Sequence, residues 1–147
     1  MNYLKTLMGL YRLKRQTKLS VKKMRILQER KLRQMLHYAW EHSAYYRRTF
    51  EAAGITEAQL DELPLSCFPT LDKKLLLEHF NELVATPDLT QEKLREFDTR
   101  QAADRRPYKG RYHVVHSSGS TGKPGYFVYD EAAWQDMLLG IIRAALW

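Results

Sequence analysis

The sequence predicts an α/β protein, α+β over the span at hand: a mostly helical first part followed by a strand–loop–strand–helix unit. Three observations predict it. Between residue 2 and about residue 97, apolar side chains recur at helical spacing and are punctuated by capping residues. Two short runs rich in β-branched and aromatic residues, 112–116 (YHVVH) and 126–129 (YFVY), then flank a Gly/Ser/Thr-rich loop. A last apolar-periodic run follows Asp130.

Taken in order, Leu4, Leu7, Met8 and Tyr11 place a helix over 2–15 with basic residues between them. A longer helix starts near Ser20 and sets Leu32, Met35, Leu36, Ala39 and Trp40 on one face. It bends near Ser43 and resumes to Ala53, with Gly54 as its C-terminal stop. Within the resumed stretch Tyr46 and Phe50 seal a core face. Thr56 caps a short helix ending before Pro64, and Asp72 caps another reaching about Phe80. Pro87 marks a turn, Thr90 starts a short helix through Phe97, and 98–110, charged and holding Pro107 and Gly110, reads as a connector. Asp130 is the N-cap of the last helix, and Glu131 in its first turn suits the helix dipole.

That last helix carries Trp134, Met137, Leu138, Ile141, Ile142, Ala145 and Leu146 along one broad face. Burying each large apolar side chain is worth roughly 1.5–3 kcal/mol, and a two-stranded hairpin offers little cover. The expectation is therefore an N-terminal part of a larger protein, cut within or at the end of a helix.

At 147 residues the chain can bury a sizeable core. Cys67 stands alone, which excludes an intrachain disulfide and a Cys-based metal site, suits a reducing cytoplasm, and reads as an inert, half-buried thiol. No apolar run is long enough for a transmembrane helix, and Lys5, Arg12, Lys14 and Arg15 interrupt any secretory signal. The net charge of +7 is uneven: eleven of the 24 Lys and Arg residues lie within 1–33, against Glu29 as the single acid. Three readings suit that segment. It is a solvated face packing its leucines on an enzyme body, an attachment to an anionic membrane surface, or a nucleic-acid contact, which the charge favours but no recognisable module supports.

The loop Ser117-Ser118-Gly119-Ser120-Thr121-Gly122-Lys123-Pro124-Gly125 holds three glycines, four hydroxyls and one lysine. Glycines let successive N–H groups turn toward one point, and hydroxyls and a cation add to that nest, so the chemistry suits phosphate. It is not the P-loop of NTPases: Ser117 stands where the first Gly should be and Pro124 where the Mg²⁺-binding hydroxyl should be, and a strand follows instead of a helix. His113 and His116 sit at odd separation on a strand, and a metal site needs convergent nitrogens with further ligands, so none is expected.

From Ser118 to Pro124 the pattern resembles the phosphate loop of the adenylate-forming enzymes, the acyl-CoA ligase superfamily. The lysine before the proline is similar to the phenylacetate–CoA ligase branch and its capsule-biosynthesis (CapK-like) relatives. Residues 37–48 (HYAWEHSAYYRR) and 68–77 (FPTLDKKLLL) resemble the same branch, in the same order. The resemblance implies that 20–147 is a partial N-terminal region of the adenylate-forming large domain, preceded by a basic amphipathic helix over 1–19. It implies ATP with Mg²⁺, a small carboxylic acid, and CoA as acceptor. Ser117, Ser118, Gly119, Ser120, Thr121, Gly122 and Lys123 would bind the ATP phosphates, Lys123 being otherwise a solvated loop lysine. Gly125 replaces a lysine found after the proline in many relatives. The later motifs that hold adenine and supply a catalytic lysine have no counterpart here, so the isolated chain is expected to be inactive. The expected location is cytoplasmic, with peripheral contact at the inner membrane face. The alternative is a truncated, non-catalytic protein that binds a partner or an anionic membrane through its basic helices.

Overall fold

A computed structural model describes residues 3–86, 88–100, 106–118 and 124–146. It is mostly helical with one small antiparallel sheet, an α+β arrangement. The helices are α1 (Tyr3–Thr17), α2 (Val21–His42), α3 (Ala44–Ala52), α4 (Lys73–Glu78), α5 (Phe80–Leu83), α6 (Gln91–Arg100) and α7 (Glu131–Leu146). Strands β1 (His113–His116) and β2 (Tyr126–Tyr129) lie between α6 and α7.

Ser43 makes the bend between α2 and α3. Its backbone is extended, and its N–H closes α2 on Ala39 O at 3.0 Å. The buried hydroxyl accepts from Tyr46 N at 3.5 Å, capping α3, and donates to Glu82 O at 3.0 Å, tying the bend to α5. At the far end of α3, Gly54 takes φ +76°, the left-handed conformation that side chains disfavour and a helix stop requires. Thr56 starts the following 3₁₀ turn (Glu57–Asp61), its N–H donating to Gln59 Oε1 at 2.9 Å. Asp72 Oδ1 accepts from Leu75 N at 2.8 Å and caps α4, which breaks at His79 before α5. The turn expected at Pro87 lies outside the described residues.

Two apolar cores result. The first joins Leu36, Trp40, Phe50, Ile55, Leu60 and Phe68. Its stripe on α2 follows Leu32, Leu36 and Trp40 at four-residue spacing, so Met35, expected on that face, points outward and is 64% exposed. Arg33 shares the buried side, and its Nη1 donates to Leu60 O at 2.7 Å and Leu63 O at 2.8 Å. The second core joins Phe80, Leu89 and Leu94 to Tyr112 and Tyr126, with Val114 and Val128 against it.

α7 departs from expectation. Leu139 is the buried one among its described side chains, facing α1 where Gly9 lacks a side chain: a Cβ there would lie 2.5 Å from Leu139 Cδ1. Ile141 and Ile142, assigned to the buried face, are exposed. The physical reason is that α1 docks on the Leu139 side and covers a neighbouring arc instead. Cys67 is likewise exposed, not half-buried, because it ends a short 3₁₀ turn at the surface. Among the described residues no helix is long and apolar enough to cross a membrane.

Candidate functional site

The β1–β2 ladder pairs His113 with Tyr129, Val114 with Val128, Val115 with Phe127 and His116 with Tyr126. Side chains alternate across it, so Val114, His116, Tyr126 and Val128 face the second core, while His113, Val115, Phe127 and Tyr129 face the other side. The loop leaves from the His116–Tyr126 end. Its neck is closed by a reciprocal pair: Ser117 N donates to Gly125 O at 3.0 Å, and Gly125 N donates to Ser117 Oγ at 2.9 Å. Gly125 is buried, with Leu76 Cδ2 3.5 Å from where its Cβ would be. A hydroxyl that accepts one bond keeps its own proton to donate, so Ser117 both shuts the neck and retains a donor.

Asp98, at the C-terminal part of α6, braces the same end from the inner side. Its Oδ2 accepts from the Tyr126 hydroxyl at 3.4 Å, and its Oδ1 lies 3.5 Å from His116 Nε2. His116 Nδ1 faces Ser117 O at 3.0 Å, so the imidazole spans α6 and the first loop residue. Burial, and secondarily the Asp98 charge, push the Tyr126 phenol above its ordinary value. The opposite end of the ladder is held by α7: His113 stacks on Trp134 with ring centroids 4.6 Å apart, and its Nε2 lies 3.1 Å from Glu131 Oε2. The two histidines therefore diverge. Among the described residues no three His, Cys, Asp or Glu side chains gather as metal ligands.

Of the phosphate-binding residues expected from the sequence, Ser117 and Ser118 are described, Ser117 at the neck and Ser118 exposed beyond it. Gly119, Ser120, Thr121, Gly122 and Lys123 lie outside the described residues. Beside β2 runs a cleft of about 520 Å³, apolar on the Tyr46, Leu76, Phe80 and Leu89 side and polar at Arg111 and Asp130. Asp98 was not legible as a site residue, because it sits in a charged stretch that reads as connector.

No known protein-family profile matches the chain. Over 130 residues, 86% of its length, it is 31% identical to phenylacetate-coenzyme A ligase of Escherichia coli strain K12. An aligned span of that length necessarily includes the loop at 117–123. The chain spans about a quarter of that enzyme, 25% of its length. The likeness is thus to one segment of an acid–CoA ligase.

Proposed function

We propose that the chain is the phosphate-loop segment of an ATP-dependent, AMP-forming carboxylate ligase of the phenylacetate–CoA ligase and CapK-like type, acting in the cytoplasm. The observation that carries this reading is the Ser118–Pro124 pattern set between two antiparallel strands whose ends are clamped by Ser117 and Gly125. A loop anchored on a rigid ladder can present its donors repeatedly to one anion. The donor set fits phosphate: Ser118, Ser120 and Thr121 supply hydroxyls, Gly119 and Gly122 allow close backbone approach, and Lys123 offsets charge. Mg²⁺, when bound with ATP, neutralises part of the charge on the departing pyrophosphate.

In this reaction a substrate carboxylate oxygen attacks the α-phosphorus, the α–β phosphoanhydride bond breaks, and pyrophosphate leaves from the loop. A thiol, CoA in this reading, then displaces AMP from the acyl group. The outer sheet face and α7 support a role within a larger assembly of strands, since Val115, Phe127, Ile141 and Ile142 are exposed there. The test has two stages. The endogenous protein is sized by intact mass with an antibody against residues 1–147, then purified and assayed for ATP–pyrophosphate exchange with a panel of carboxylic acids. The expected result is a product several times heavier than 17.4 kDa whose acid-dependent exchange falls at least about tenfold on Lys123→Ala. A stable product of 17.4 kDa without exchange for any acid would sink the proposal.

A further inference from the structure

α1 presents two unlike sides. One, centred on Gly9, is closed against Leu139 of α7. The other exposes Tyr3 (77%), Leu7 (65%) and Tyr11 (66%) in a four-residue repeat, with Leu4 and Met8 beside them. At about 3.6 residues per turn these five cover an arc of about 140°. An outward stripe of that width is not a core face.

The stripe runs at Tyr11 into a groove of about 570 Å³ between the end of α1 and the start of α2. Leu19 and Leu27 give it an apolar floor, with Ile26 at its edge. Five of its ten lining residues, Arg12, Arg15, Lys18, Lys23 and Arg30, are basic, and none is acidic. Arg12 reaches Asp136 at 3.6 Å on the α7 side. Val21 and Ile26 of α2 add exposed apolar surface beside this basic rim.

We infer that α1 and the first turns of α2 lie on an anionic lipid bilayer. Leu4, Leu7 and Met8 would enter the headgroup–acyl boundary, Tyr3 and Tyr11 would sit at headgroup depth, and the groove cations would meet lipid phosphates. Charge decides among occupants. A second copy of this chain would bring two strongly positive segments together. A nucleic acid would use the cations and leave Leu7 and Met8 in water. An anionic bilayer satisfies both halves of the surface, and no helix among the described residues is long and apolar enough to cross one. The inference stands apart from the ligase reading.

The experiment is co-sedimentation of the chain with vesicles of phosphatidylcholine alone or with about 30% phosphatidylglycerol, at about 0.05 M and about 0.5 M salt. The chain is expected to bind the anionic vesicles at least about tenfold more tightly than the neutral ones, and to lose most of that preference in high salt. Leu7→Glu with Met8→Glu should reduce binding about tenfold or more. Lys18→Glu with Lys23→Glu, which leaves the stripe intact, should do the same, since each cation near the surface is worth about fivefold. Circular dichroism confirms that each variant keeps its helices, and Leu7→Ser with Met8→Ser replaces a variant that does not. Equal binding to both vesicles, no binding to either, or indifference to both pairs overturns the inference. So does a dimer that Leu7→Glu abolishes, or a nucleic-acid complex that excludes vesicles.

Discussion

The α2–α3 unit and the hairpin with α7 are both rich in large apolar side chains, yet they dispose of them differently. In the first, Phe50 is 2% exposed and Leu60 fully buried, and the turn that covers them is stapled by Arg33 to Leu60 O and Leu63 O. In the second, Tyr126 is buried but Phe127, next along β2, is 46% exposed, as is Ile141 of α7 at 59%. The first region is closed on itself and owes its geometry to its own caps. The second is a platform: its inner side is held by Asp98 and the second core, its outer side is covered by Trp134 of α7 at the His113–Tyr129 end and open at Val115 and Phe127, and its edge carries the Ser117–Gly125 neck. The candidate chemistry lies in the open region.

The comparison is broken most directly by Phe50→Ala, which removes an aromatic side chain touching Trp40, Tyr46 and Phe68. The expected loss is about 3–5 kcal/mol in urea unfolding followed by circular dichroism; a loss under about 1 kcal/mol would mean the core repacks freely. Arg33→Met keeps the stem but leaves Leu60 O and Leu63 O without their donor. It should cost about 2–3 kcal/mol, with hydrogen exchange accelerating first over residues 56–64.

A smaller effect is expected at the junction of the two regions. The Glu82 carboxyl is held below the ordinary carboxylate range, first by the hydrogen bond from His79 and further by Arg48, against an opposing effect of burial. A carboxyl lowered on folding contributes stability that is full above the ordinary range and is lost as pH falls through its lowered value. The stability difference between the native chain and Glu82→Gln should therefore be full at neutral pH and shrink as pH falls below the ordinary carboxylate range. A difference that stays constant over that fall in pH would remove the assigned ion pairs. The smallest effect sharpens the contrast. Phe127→Ser changes an aromatic as large as Phe50, but on the open face it should change the unfolding free energy by no more than about 0.5 kcal/mol.

Much of the fold was legible because it is written in local chemistry. Ser43 as a bend, Gly54 as a stop, and Asp72 and Asp130 as caps each act on backbone groups within a few residues, with Asp130 Oδ1 accepting from Ala133 N at 2.8 Å. The proposed role of the loop rests on residue types and their order alone, since Gly119, Ser120, Thr121, Gly122 and Lys123 lie outside the described residues. What could not be read depends on partners distant in sequence. Helical spacing alone gave Met35 and Leu36 equal claims to the core, and the 3₁₀ turn over Leu60 decided for Leu36. A glycine inside α1 is a sign of close approach, but nothing in the sequence named Leu139 as the residue it admits.

By itself, then, the sequence determined most helix starts, the hairpin and the residue types of its loop, because caps, turns and strand alternation act over short range; it did not determine that the helix from Gln91 runs through Asp98 to Arg100, or that α4 breaks at His79. Tertiary structure alone decided which arc of α7 is buried, that Asp98 braces the loop's base, and that the stripe on α1 faces outward. Those outcomes follow from which surfaces meet, and periodicity states how much apolar surface a helix has without stating what will cover it.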